Sequence, residues 1–515
     1  MSEFNMEQIP HIEDIPTLRG RFNPRTAVLK ATTAYLPDSM KESGKLLPDL
    51  DAAIERTGLK SGMTVSFHHH FRNGDYVMNM VLEAIAARGI RDLTVAITSV
   101  NPIHEPIIKH IRDGVVKRIE TSGIRGPVAD AVSEGVMDVP VVFRSHGGRG
   151  YAIEQGILHI DVAFIGAPFC DPFGNANGSL RANDLTCGSL GYGMTDAAYA
   201  DKVVIVTDHL VEYPNIPHAI PQTQVDYVVR VDSIGDANGI KGGVTRQTTN
   251  PRDLRIAKMT ADVIEASGCM RDGFSFQVGA GGPSLAAAIY LKEKMLRLGV
   301  KAGFVLGGIT GAIVDLYRSG LVNKILDVQS FDVDAGMSTR DNTDHLQISS
   351  VYYASPQGND AAVNRVDVAV LAAMEIDVGF NTNVVTGNDG AIRGAIGGHQ
   401  DAAAGASICI IVAPLIRGRI PTIVDQVGTI TTPGDSIDVV VTDYGTCVNP
   451  RRSDLIERFA KAGVNLCTIE DLRRKAVELV GEAKPVRRGG KIVGIVTYRD
   501  GSVLDVIYSR PEAEQ

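Results

Sequence analysis

Two stretches of this chain read as one pattern written twice. Residues 82–98 (LEAIAARGIRDLTVAIT) match residues 291–307 (LKEKMLRLGVKAGFVLG), a shift of roughly 210 positions. Each is the end of an amphipathic helix, a glycine turn and an apolar strand. Around the first copy, MTVSFH (63–68) reads as a strand. Residues 75–88 then place apolar side chains at 77, 78, 81, 82 and 85, which is helical spacing. Strand 93–98, helix 104–114, strand 116–121 and helix 126–135 follow, and 161–168 and 202–208 read as buried strands. The second copy restarts with strand 273–278, helix 284–298 and a strand from Gly303. Such alternation predicts an α/β fold of two related domains, each with a mainly parallel sheet flanked by helices. The Gly-, Ser- and Asn-rich stretch 232–249 places the domains at 1–235 and 236–515. The second is expected to end in a hairpin, 491–509, turning on Asp500-Gly501.

Composition removes several classes of function. A net charge of -9 gives no footprint for nucleic acid or an anionic membrane surface. The most apolar run, 402–416, is too short to span a bilayer and is broken by Gly405 and Pro414. The acidic start of the chain is not a secretory signal. The six cysteines form no C-x-x-C pair or metal spacing, so they read as reduced thiols of a cytoplasmic protein without a metal.

Candidate chemistry falls at strand ends. The loop GAGGPS (279–284) joins a strand to a helix. Its glycines Gly279, Gly281 and Gly282, with Ser284, suit a phosphate or a developing oxyanion. It is neither a Walker loop nor a dinucleotide fingerprint. A second glycine loop carries Gly397, Gly398, His399, Gln400 and Asp401. His68, His70 and Arg72 close the first strand, and Arg144, His146 and Arg149 lie in a basic, Gly-rich loop, 143–150. Clustered Arg and His suit carboxylates, because a guanidinium binds them through two N–H groups. A solvated or structural role for each cluster is the alternative. In the stretch 171–178, at a strand's carboxyl end, Asn175 and Asn177 read as turn formers, and the basic pairs at 451–452, 473–474 and 487–488 as solvated surface. The segment SFDVDAGMSTRD (330–341) reads as a loop with three aspartates and no glutamate. These patterns reach a two-domain α/β enzyme for an anionic small molecule.

The ordered set QVGAGGPSLA (277–286), LDVQSFD (326–332), AMEIDVGFNTNVVTG (373–387), GAIGGHQDAAAGA (394–406) and VVVTDYG (439–445) resembles the citrate lyase α-chain family. SGMTVSFHHHFRNGDYV (61–77) and FIGAPFCDPFGNANG (164–178) resemble the same family's first half. The resemblance implies two CoA-transferase-type (NagB/RpiA-like) domains. It implies an enzyme that moves a thioester from acetyl to citrate, giving citryl thioester and acetate. The thioester would be acetyl-CoA or the acetylated dephospho-CoA-derived arm of an acyl carrier (γ) subunit, with a β subunit cleaving the citryl thioester. A homo-oligomer within that complex is expected. His68, His70, Arg72, Arg144, His146 and Arg149 would anchor citrate. Gly397, Gly398, His399, Gln400, Asn383 and Ser284 would hold the thioester arm. Gly279, Gly281, Gly282, Asp332 and Glu375 would stand at the chemistry.

One position departs from the wider class. Related CoA-transferases keep a nucleophilic glutamate in a Q-S-E-N-G type loop; here Gln329-Ser330 is followed by Phe331-Asp332. That favours attack by citrate's own carboxylate through a mixed anhydride. The alternatives are a transferase or hydrolase using Asp332 or Glu375, and a non-catalytic carrier-binding scaffold.

Overall fold

A computed structural model describes residues 8–15, 18, 45–68, 70–180, 183–240, 248–279 and 281–511. His69, Ala280 and part of the 232–249 junction lie outside the described residues.

Two large sheets carry the two halves. The first runs, edge to edge, Leu46–Leu47, Tyr227–Arg230, Lys202–Thr207, Val162–Gly166, Thr64–Phe67, Leu93–Ile97, Val116–Thr121 and Val141–Phe143, all parallel, and then the hairpin Ile492–Thr497 and Val503–Tyr508. The second runs His345–Gln347, Val322–Ser330, Ala302–Ile309, Phe274–Val278, Val368–Ala372, Ile408–Val412, Val439–Val441, Thr446–Val448 and Leu466–Cys467, with one antiparallel pair at Val439–Val441. The repeat seen in sequence is the same supersecondary unit twice. Helix Val77–Ala87 leads to Leu93–Ile97, and helix Gly282–Leu298 leads to Ala302–Ile309. Central strands such as Leu93–Ile97 and Ile408–Val412 are buried throughout, because helices cover both faces.

The halves also share a small motif. The Asp171 carboxylate accepts from the backbone N–H of Phe173 and Asn175 and from the Asn175 side chain. The Asp377 carboxylate accepts from the N–H of Gly379 and Asn381 and from the Asn381 side chain. Each closes a turn beside a three-stranded sheet on its own half.

Three expectations change. The terminal hairpin belongs to the first sheet, not to the second half: Ile492–Thr497 pairs in parallel with Val141–Phe143, covering an edge that would otherwise be open. The segment 330–341 is mostly helix, Val333–Asp341, capped by Asp332. The basic loop 143–150 contains the start of helix His146–Glu154, capped by Ser145, whose hydroxyl accepts from the Gly148 N–H. The apolar run at 402–416 is the end of helix His399–Gly405 followed by strand Ile408–Val412, and no described helix is long and apolar enough to cross a membrane. All six cysteines are free thiols, five of them buried.

Candidate active site

The carboxyl ends of the two sheets face one cavity of about 400 Å³. Open parallel sheets bind ligands at that edge, where the chain leaves the sheet and backbone groups are unpaired. From the first half come Arg72, Ser99, Asn101, Ser122, Arg125 and His146, each following a strand. From the second come Gln277, Gly279, Gly281, Gly308, Gln329, Phe331, the turn Leu371–Met374 and the loop Gly394–His399.

The second-half loop closes onto the first half by backbone contact. Gly123 and Ala395 form an antiparallel bridge, the Ile396 N–H donates to the Ser122 carbonyl at 2.7 Å, and the His146 N–H donates to the Gly397 carbonyl at 2.9 Å. A Cβ on Gly123 would lie 2.1 Å from that of Ala395, so glycine is required for this approach.

Arginines dominate the wall. Arg72 has left-handed backbone (φ 56°), and its guanidinium lies 4.5 Å over the Phe331 ring. Its Nη1 is buried without a partner. Burial, with Arg125 nearby, pulls its pKa down to about 10. The Arg125 pKa is also lowered by burial, and its Nη1 donates to the Ser99 hydroxyl at 3.0 Å. Arg417 donates to the Met374 and Ala373 carbonyls and so braces the turn opposite. No Asp or Glu is among the described lining residues.

The two lining histidines are neutral. Burial, reinforced by Arg149 and Arg125, brings His146 down to about 3; its ring packs on Tyr192 at 4.6 Å. His399 is brought down to about 4 by burial. Its Nε2 lies 3.2 Å from the Ala372 carbonyl, which can only accept, so Nδ1 accepts from the Thr432 hydroxyl at 2.8 Å. At the rim, helix Gly282–Leu298 points its N-terminus toward the loop Gly279–Gly281. The Ser284 hydroxyl braces that loop, 3.0 and 2.8 Å from the Gly279 and Gly281 carbonyls.

The cavity brings together only part of the set expected from sequence. Gly279, Gly281, Gly397, Gly398, His399, Arg72 and His146 line it. The other four basic residues are engaged elsewhere. Arg144 pairs with Glu120 at 2.6 Å, and Arg149 makes two bonds to Asp196 at 2.7 and 2.8 Å, all buried. His68 bonds the Gly166 carbonyl at 3.1 Å, and His70 lies 3.3 Å from buried Asp75. Gln400 donates to the Thr431 and Thr497 carbonyls, and Asn383 to Glu375 and Thr386. Gly282 lies inside the helix, behind the lining. The Asp332 carboxylate takes the Ala335 and Gly311 N–H groups at 2.9 and 2.7 Å. Burial nevertheless raises its pKa. Glu375 accepts from Asn383 and the Gly428 N–H, and faces a separate cavity beside Val486 and Arg488. Sequence reading missed Arg125, Arg417, Ser99, Asn101 and Ser122. Arg125 and Ser122 follow strand 116–121 at the same relative place as the glycine loops, a signal that strand-end position alone supplies.

Two α/β sheets meeting at their carboxyl ends over an arginine-lined, glycine-rich cavity define a CoA-transferase-type architecture. A 4-hydroxybutyrate CoA-transferase from Porphyromonas gingivalis shares this fold, with a TM-score of 0.52 at 17% identity over 85% of this chain and 97% of that one. The family model "Citrate lyase, alpha subunit (CitF)" matches residues 43–510. The citrate lyase alpha chain of Haemophilus influenzae is 52% identical over 464 residues, 90% of this chain and 92% of the relative. An α subunit of citrate lyase from Streptococcus mutans, solved in complex with citrate, superposes with a TM-score of 0.92 at 52% identity, covering 95% of this chain and 96% of that one. The chain belongs to the citrate lyase α-subunit family and is an enzyme of the citrate CoA- or carrier-transferase class.

Proposed function

We propose that this chain transfers the thioester of acetyl-CoA, or of an acetylated acyl carrier, from acetyl to citrate through a mixed anhydride. The observation that carries the route is the lining: its described residues include three arginines and no carboxylate. The lining serines are engaged, Ser122 with the Thr98 carbonyl and Ser99 with Arg125. The attacking oxygen then belongs to the substrate.

A citrate carboxylate attacks the acetyl carbonyl carbon. The C–S bond breaks, and the thiolate leaves an acetic–citric anhydride behind. The thiolate then attacks the citryl carbonyl, the C–O bond breaks, and acetate departs. One thioester is made for one broken, with no net proton or electron, so no nucleotide is needed. Arg72 and Arg125 hold citrate carboxylates that take no part in the attack. The Gly279–Gly281 loop and the adjoining helix N-terminus stabilise the oxyanion, an effect of roughly 3–4 kcal/mol per donor where it has been measured in proteases. The neutral His146 and His399 add no charge that would bind a carboxylate in a fixed wrong place.

In this reading the α chain works in the cytoplasm with a γ subunit, which presents the thioester on a dephospho-CoA-derived arm, and a β subunit, which cleaves citryl thioester. Purified chain given acetyl-CoA should release acetate and form citryl-CoA only when citrate is present. Borohydride after acetyl-CoA should leave Asp332 and Glu375 unmodified. Reduction of either carboxyl would put the nucleophile on the protein. Absence of acetate release would leave a carrier-binding scaffold.

A further inference from the structure

Arg72 lines a cavity with no carboxylate among its described lining residues. The Asp332 carboxylate that acts on it through space is bonded to the Gly311 and Ala335 N–H groups, so the guanidinium needs something else to hold it. Hydrogen bonds from described residues do not do so: its Nη1 is buried with no partner. What touches it is the Phe331 ring, 4.5 Å from the guanidinium carbon to the ring centroid. The backbone at Arg72 is left-handed, at φ 56°, so the chain itself is bent to bring this side chain inward. Phe331 is fixed in turn. Its N–H donates to the Ile309 carbonyl at 2.8 Å, and its ring covers Gly308, where an added Cβ would lie 2.2 Å from the ring. Glycine at 308 thus leaves the space that the edge of this ring occupies.

We propose that Phe331 is a positioning residue for substrate: it holds the Arg72 guanidinium by its π face and leaves the N–H edge free for a substrate carboxylate. This rests on the function proposed above and deepens it. A ring face attracts a cation without accepting its in-plane N–H groups. A carboxylate in the same place would take two of those donors and neutralise the charge. The aromatic residue solves both demands at once, fixing the arginine and keeping it available. Gly308 belongs to the same device, because any side chain there displaces the ring from the guanidinium.

The test is a double-mutant cycle read by citrate binding in calorimetry and by steady-state kinetics with acetyl-CoA. Phe331→Leu should weaken citrate binding and raise the citrate KM by about 3- to 10-fold, with the acetyl-CoA KM unchanged. Gly308→Ala should shift citrate in the same direction. In an Arg72→Ala background, Phe331→Leu should cost nothing further. Additive losses in the double variant would overturn the proposal, as would unchanged citrate binding in folded Phe331→Leu protein. Phe331→Glu should weaken citrate binding more than Phe331→Leu; tighter binding would also overturn it. Failure of the proposed function looks different: the unsubstituted chain would then bind citrate without turnover, or would not bind it at all.

Discussion

Arg125 and Arg149 carry the same guanidinium, and their surroundings give them opposite work. Arg149 is paired through both Nη groups with Asp196, a carboxylate 1% exposed. Arg125 faces the cavity with Ser99 as its hydrogen-bond partner. Removing one member of a buried pair strands the other charge, at about 3–5 kcal/mol. Arg149→Ala should therefore lower the denaturation midpoint steeply. Arg125→Ala should instead raise the citrate KM about 10-fold or more, since a hydrogen bond to a charged group contributes about 1.5–3 kcal/mol, while the midpoint stays near that of the parent. Equal loss of stability in both variants would remove the distinction. This contrast explains what the sequence left hidden. Arg149 stands in a Gly-rich basic cluster, which looks like an anion site, but its partner lies far along the chain in helix Gly191–Tyr199. Arg125 stands alone in an unremarked turn. Local pattern reports which residues carry charge; only the tertiary neighbour decides whether the charge is already satisfied. Phe331 stood out only through the family resemblance, as the residue in the place of a related enzyme's glutamate, and its contact with Arg72 was not legible.

Elements show the same division between local and distant causes. The strands and helices of the repeat were legible because each is a long apolar or amphipathic run. Helix Val333–Asp341 was not, for it buries only Ala335, Gly336 and Ser338 and has almost no apolar periodicity. It is held by its cap and by close packing: a Cβ on Gly336 would meet the Thr186 side chain at 2.7 Å. Asp332 does two jobs in this arrangement, capping the helix through the Ala335 N–H and tying in the preceding helix through the Gly311 N–H. Asp332→Ala should cost about 1–2 kcal/mol of stability and leave kcat within about 10-fold of the parent. Paired chemical denaturation and turnover measurements check this. A collapse of kcat with an unchanged midpoint would return Asp332 to the role of nucleophile. The terminal hairpin makes the converse point. Asp500-Gly501 announces the turn, but nothing local says which sheet edge the strands will join.

At the scale of the molecule, the tail's return to the first sheet has a consequence at the cavity. Asp401, in helix His399–Gly405, is wholly buried, and three groups from two distant parts of the chain donate to it. The Ser145 hydroxyl and Gly147 N–H come from the start of helix His146–Glu154, at 2.9 and 2.8 Å. The Arg499 Nε comes from the terminal hairpin, at 3.0 Å. Gln400, next in line, donates to the Thr497 carbonyl of the same hairpin. One carboxylate thus joins the first sheet's helix, the second half's glycine loop and the chain's end, directly behind His146 and His399. Burial raises its pKa, and the Arg499 charge and the Gly147 N–H act against that rise. Asp401→Ala would strand Arg499, itself 8% exposed, and leave the Gly147 N–H without an acceptor. The expected result is a loss of about 3–5 kcal/mol in chemical denaturation. In protein that remains folded, the KM for citrate and the KM for acetyl-CoA should rise together, because the junction sets the spacing of the two walls rather than one side chain. A selective rise in one KM would show that the walls are held apart by other contacts, and that Asp401 supports only its own helix.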